Sequence, residues 1–205
     1  FTPDGNTAVL GSGVNAALWV FVNAGEAAAV TQPATNITTT SATLNGTATP
    51  GGESASISIQ YSTRPDMANP INAVLSTGAN PLQPGSGTLT YSSHITGLTV
   101  GTTYYYRISS KSNLITINGA TQSFSTLPLP PTITSFSPMT APAGTRITIT
   151  GTNLGRLTGA SFGGIQSTIY LGNSETSAVA YVPDTGSSGD LMVTTPGGTA
   201  TLSGF

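Results

Sequence analysis

His94-Ile-Thr-Gly-Leu98-Thr-Val-Gly101-Thr-Thr-Tyr104-Tyr-Tyr106-Arg-Ile108 holds a turn followed by a strand. Tyr104, Tyr106 and Ile108 recur at every second position, which places them on one face of an extended segment. On that pattern Tyr104 and Tyr106 are core residues. Tyr105 points to the opposite face, where the apolar side of its ring is free to stack on a sugar, although a single exposed aromatic is ordinary on a protein surface.

Upstream the same period appears twice more. Ala42 and Leu44 alternate inward in Thr40–Ala48, Pro50-Gly51-Gly52 turns the chain, and Ala55, Ile57, Ile59 and Tyr61 alternate again. A Pro- and Asn-rich excursion fills about residues 63–87, a strand passes through Leu89 and Tyr91, and the last strand of this module ends near Gln122–Thr126. Leu127-Pro128-Leu129-Pro130-Pro131 then favours extended polyproline geometry, a semi-rigid spacer between two modules. Beyond it Ile147 and Ile149 alternate into a second core, Gly151 and Gly155 let the chain turn, and Pro196-Gly197-Gly198 links Leu191 and Val193 to Ala200 and Leu202.

Composition narrows the function classes. Only 6% of the 205 residues are charged, against roughly 25% in ordinary globular chains, so the surface is neutral and hydroxyl-rich. The net charge is −2, and the five basic residues are scattered as Arg64, Arg107, Lys111, Arg146 and Arg156. That pattern offers no footprint for a phosphate backbone, and nucleic acid is not an expected partner. With no cysteine there is neither a disulfide staple nor a reactive thiol. Asn15 and Asn23 interrupt the most apolar stretch, so no membrane span is expected, and no basic region precedes it as in a signal peptide. Phe1 in place of Met points to a processed or excised chain.

Two family resemblances follow from these motifs. The run from His94 to Ile108, with Ala34–Thr47 upstream, resembles a fibronectin type III domain in the variant common among bacterial surface proteins. The resemblance implies that Tyr104 is the corner tyrosine whose hydroxyl ties the adjoining loop to backbone. Leu44 stands where a core tryptophan is usual, and no Arg-Gly-Asp tripeptide is present. Pro131–Pro138, Ala143–Leu154, Ala160–Gly164, Val182-Pro183 and Thr195–Thr199 together resemble an IPT/TIG domain over about 129–205, an immunoglobulin-like sandwich. The expected fold is therefore all-β: two tandem immunoglobulin-like β-sandwiches preceded by an N-terminal strand segment. Its divisions are 1–29 for that segment and a linker, 30–127 for the fibronectin-like sandwich, 128–131 for the joint and 132–205 for the IPT/TIG-like sandwich.

The N-terminal segment stands apart. Val14, Ala16, Leu18, Val20 and Val22 share one face of a strand, while Trp19 and Phe21 lie on the other, so both faces are apolar. One reading packs this strand on its own chain or makes it the remnant of a preceding domain. The other makes it a donor strand that completes the sheet of a neighbouring copy. Taking residues 7–22 as that strand and the last strand, ending at Phe205, as short, head-to-tail association follows, and it grows into a fibre unless the rotation closes. Gly25–Ala29 has the composition of a helical turn too short to be stable alone, and reads as a linker.

Groups able to do chemistry are sparse. The lone histidine, His94, enters the Leu98 turn far in sequence from any acid, and reads as a structural corner. Pro183–Asp190 brings two carboxylates and several hydroxyls together without the alternating acids of a calcium loop, and reads as a polar turn. The seven acids fall mostly in turns, no phosphate loop occurs, and neither a metal nor another cofactor is expected. Asn36-Ile-Thr38 and Asn45-Gly-Thr47 are acceptor sequons wherever the source N-glycosylates its exported proteins.

The expected function is that of a non-enzymatic extracellular or cell-surface protein, structural or adhesive, such as a subunit of a filament assembled by strand complementation. Its partners would be further copies of itself or neighbouring domains of the same surface protein, and sheet edges with few Lys or Glu gatekeepers would ease assembly. The alternative expectation is a set of spacer or carbohydrate-binding modules of a secreted polysaccharide-active enzyme, with polysaccharide as the partner.

Overall fold

The structure, a computed structural model, describes residues 26–205 apart from Leu171, Gly186 and Ser187, together with two short strands upstream. These are β1 (Thr7–Ala8) and β2 (Phe21–Val22), which pair antiparallel with Thr7 opposite Val22 and Ala8 opposite Phe21. The two ends of 7–22 are thus partners of each other, which one continuous strand cannot be, and the expectation of a single strand over 7–22 is corrected. Of the donor-strand residues, Val14, Ala16, Leu18, Trp19 and Val20 lie outside the described residues, while Phe21 and Val22 form β2.

Every regular element among the described residues is a strand, and the chain divides into two compact units, Phe1–Thr126 and Leu127–Phe205. In the first, β3 (Ala28–Thr35), β4 (Ser41–Thr49) and β7 (Leu89–Thr96) form one antiparallel sheet. The other sheet runs β10 (Gln122–Ser125), β8 (Thr103–Lys111), β5 (Ser56–Ser62) and β6 (Ile71–Ala73), with β9 (Thr116–Asn118) paired to the far half of β8. Alternation builds the core between them. Ala42, Leu44 and Ala48 of β4 are buried and face Ile57 and Ile59 of β5, Tyr91 of β7, and Tyr106 and Ile108 of β8 within one cluster. Gly46 belongs to the same inward row, and a Cβ there would press on Ile108 at 3.0 Å.

β3 joins the two sheets. It pairs with β4 through five consecutive rungs and shifts register between Gln32 and Thr35, and just ahead of that shift Thr31 and Gln32 also bond the opposite sheet. The Thr31 hydroxyl accepts the Ile108 N–H at 3.3 Å, Thr31 carbonyl oxygen accepts Gln122 Nε2 at 2.8 Å, and the Tyr106 hydroxyl donates to the Gln32 carbonyl at 2.6 Å. Gly119 lies where β9 gives way to β10, and a Cβ there would stand 2.5 Å from the Thr31 hydroxyl. The linker expected up to residue 29 is in part strand, because Ala28 and Ala29 are already extended and pair with Thr49 and Ala48. Ladder hydrogen bonds outweigh the weak helix preference of a short alanine run.

The excursion at 63–87 is stitched to both sheets. Leu82 and Met67 are buried, and Asn80 clamps β5 by accepting the Ile57 N–H and donating to the Ile57 carbonyl. At its start Arg64 makes two hydrogen bonds to Asp66, at 2.8 and 3.1 Å. That guanidinium, with the Ala68 N–H, holds the exposed Asp66 carboxyl down at about 2. A carboxylate depressed in the folded state contributes stability above its ordinary range of roughly 4 and loses it as pH falls through the folded value. The Asp66 side chain is therefore expected to titrate near 2 by NMR in the native protein and to return to the ordinary range in Arg64→Gln; an unmoved midpoint would contradict the pairing.

In the second unit β11 (Thr132–Ser137), β12 (Arg146–Thr152) and β15 (Ser177–Tyr181) form one sheet. β14 (Ile165–Gln166), β13 (Gly159–Phe162), β16 (Leu191–Thr195) and β17 (Gly198–Leu202) form the other. Ile147, Ile149, Leu154, Phe162, Leu191 and Val193 are fully buried between them. Phe205 packs on Phe162 with ring centres 4.6 Å apart, and its backbone exchanges hydrogen bonds with Gly189 at 2.8 and 3.1 Å. The polyproline stretch is built into this unit: Pro131 is buried, and the Pro130 carbonyl accepts Asn153 Nδ2 at 2.8 Å.

Candidate binding face and the other site residues

The parity that sends Tyr104, Tyr106 and Ile108 into the core turns Tyr105, Arg107 and Lys111 outward on β8. Strand pairing decides what lies beside them. Ser62 stands opposite Tyr105, Gln60 opposite Arg107 and Ser56 opposite Lys111, all on β5, while Ser123 of β10 flanks Tyr105 on the other side. Arg107 Nε donates to Gln60 Oε1 at 3.2 Å, and Gln60 Nε2 donates to Asn72 Oδ1 of β6 at 3.3 Å. A chain of side-chain hydrogen bonds thus runs across three strands and fixes the guanidinium plane against the sheet. No acid occurs on β5, β6, β8, β9 or β10, and the one ion pair among the described residues is Arg64 with Asp66. The face therefore presents two cations, one half-exposed tyrosine and rows of neutral amides and hydroxyls.

The remaining candidate residues are dispersed. Tyr104 is buried, stacks on Phe124 with ring centres 5.6 Å apart, and its hydroxyl accepts the Thr99 N–H at 2.9 Å, so the Leu98–Gly101 turn is tied to β8. His94 is exposed on β7 opposite Thr43, with Nδ1 at 3.5 Å from the Thr43 hydroxyl. Asp184 and Asp190 are exposed, and among the described residues no three His, Cys, Asp or Glu side chains converge.

The two sequon asparagines differ in environment. Asn36 follows β3, is exposed, and has φ 50. Asn45 is half-buried in the middle of β4, and its Nδ2 already donates to the Pro33 carbonyl at 2.9 Å and the Thr35 hydroxyl at 3.1 Å. Glycosylation of Asn45 would replace one Nδ2 hydrogen, break at least one of these bonds, and need room for a sugar at a half-buried site in mid-strand. When the chain is secreted by an N-glycosylating host, peptide mass spectrometry is expected to find sugar on Asn36 and none on Asn45; equal occupancy would contradict this.

The two units differ in what identifies them. The second has three strands facing four, with the Pro196–Gly198 turn joining its last hairpin. Residues 131–205 match the IPT/TIG domain family. The motifs of the IPT/TIG domain fall where its strands and turns require them: Ile147 and Ile149 in the core of β12, and the glycine pair after Pro196 between β16 and β17. Ahead of the IPT/TIG domain, the first unit has the three-plus-four strand order of a fibronectin type III-like sandwich, β3-β4-β7 against β10-β8-β5-β6.

No curated protein matches the sequence. Among solved structures, the sensor domain of the anti-sigma factor RsgI4 from Pseudobacteroides cellulosolvens is 25% identical, covering 50% of this chain and 96% of its own, with a TM-score of 0.40. SGBP-B from a complex xyloglucan utilization locus in Bacteroides uniformis is 17% identical over 87% of this chain and 49% of its own, at a TM-score of 0.37. The chicken CNTN1 FN1–FN3 domains are 14% identical over 82% of this chain and 63% of their own, at 0.34. The assignment of the two units rests on strand order and the family match.

Proposed function

We propose that this chain is a non-catalytic part of an extracellular or cell-surface protein, with a structural or adhesive role. What carries the reading is the pair of closed sandwich cores, each built from apolar residues without a disulfide and clothed in outward rows of Ser, Thr, Asn and Gln. Such modules space and present surfaces, and function resides in the faces they display. Among the described residues no helix is long and apolar enough to cross a membrane. Antibody labelling of intact cells of the source organism tests the reading; signal only after permeabilisation would sink it. The finer proposal is assembly into a fibre, with Val14–Val22 as a strand donated to the next copy. Exchange would first open the two-rung ladder between β1 and β2. Normal filaments from a chain lacking residues 1–24, seen by negative-stain microscopy, would contradict it.

A second reading, a module that holds polysaccharide, is favoured by the outer face of β8 and β5. An aromatic ring beside pre-oriented amide and guanidinium donors matches the alternating apolar and hydroxyl surfaces of a sugar.

A further inference from the structure

We infer that the outer face of the β10-β8-β5-β6 sheet binds an acidic polysaccharide, a polymer of uronate sugars, with Arg107 and Lys111 holding carboxylates and Tyr105 stacking on a ring. The inference rests on the second reading above and adds the charge of the ligand. Among the described residues neither cation has a carboxylate partner: β5, β6, β8, β9 and β10 contain no Asp or Glu, and Asp66, which follows β5, pairs with Arg64. The opposing residues, Gln60 and Ser56, are neutral. Arg107 spends only its Nε on Gln60, which leaves the terminal nitrogens of a fixed planar group for a bidentate contact. Arg107 and Lys111 are four residues apart on one strand, about 13 Å, a spacing that suits successive charges on an extended polymer better than a single small anion. Gln60 and Asn72 continue the polar surface across the sheet and suit hydroxyl groups.

Rows of hydroxyls alone would serve a neutral glucan equally well; the unpaired cations distinguish the two. Because the face is solvent-exposed, added salt screens the attraction, and binding weakens as ionic strength rises.

The full chain is tested by affinity gel electrophoresis and calorimetry against polygalacturonate and alginate, with xyloglucan and mixed-linkage glucan as neutral polymers. Arg107→Gln and Lys111→Gln are compared with the double substitution Arg146→Gln, Arg156→Gln in the IPT/TIG domain. Thermal unfolding checks that each variant is folded. Loss of polyuronate binding by about tenfold or more in Arg107→Gln, with a further loss in the pair and none in the IPT/TIG control, is the expected result. Arg107→Lys should recover part of it by restoring charge without the fork. Equal binding of neutral glucans, or equal loss in the control, overturns the uronate assignment and leaves polysaccharide binding standing. No binding to any of the four polymers overturns both.

Discussion

Gly151→Ala is expected to unfold the second unit and leave the first folded. Gly151 is buried on β12 beside the register shift between Ile133 and Ser135 of β11. A Cβ there would fall 1.8 Å from the Thr132 carbonyl oxygen and 2.8 Å from its carbon. Both are backbone atoms within the ladder, so no rotamer change relieves the clash. β11 must leave its sheet or carry the strain, at a cost of about 3 to 5 kcal/mol, a large share of the stability of a small domain. Gly159→Ala is the control, since its nearest atoms lie 3.9 Å away in ordinary contact. Calorimetry of the wild-type chain should resolve a transition for each unit, and in Gly151→Ala one should vanish or fall steeply. An unchanged pair of transitions would contradict the geometry.

The second large effect lies at Tyr106. Its ring is fully buried, meets Phe124 edge-on at 5.9 Å, and its hydroxyl donates to the Gln32 carbonyl with Gln122 Oε1 at 3.3 Å. Tyr106→Ala removes a large side chain from the centre of the core and is expected to cost about 4 kcal/mol. Tyr106→Phe keeps the ring but strands the Gln32 carbonyl, costing about 1 to 2 kcal/mol. Burial also pushes the Tyr106 hydroxyl above its usual range. A group whose proton is held more tightly in the folded state loses that advantage as pH rises above its unfolded value, near 10. The first unit should therefore weaken in alkali, and Tyr106→Phe should weaken less steeply than wild type. Denaturant titrations across alkaline pH would show parallel slopes if the reasoning fails.

Much of the architecture was legible because alternation is a local signal. Ala42 and Leu44, Tyr104 and Tyr106, and Ile147 and Ile149 each declare a face within a few residues, and all are buried. The excursion at 63–87 was opaque for the opposite reason. Leu82 stands alone between Asn80-Pro81 and Gln83-Pro84-Gly85, with no period to betray that it enters the core, and Asn80 acts as a strand partner through its side chain. The candidate face was hidden differently. Along the sequence the five basic residues are scattered, but pairing sets Arg107 and Lys111 on one acid-free surface with Tyr105, and which strands lie beside β8 is a tertiary fact. Alanines 28 and 29 read as linker because a short alanine run shows no alternation, and only the pairing with Thr49 and Ala48 makes them strand.

The double engagement of β3 has a mechanical consequence. It is laddered to β4 along one side, while Thr31 and Gln32 hold β8 and β10 on the other. A pull on the chain from its N-terminal end loads β3 along its length and shears both sets of bonds together, so they share the force instead of opening one rung at a time. The first unit would resist tension as a single catch and then yield abruptly, the behaviour suited to a link under flow.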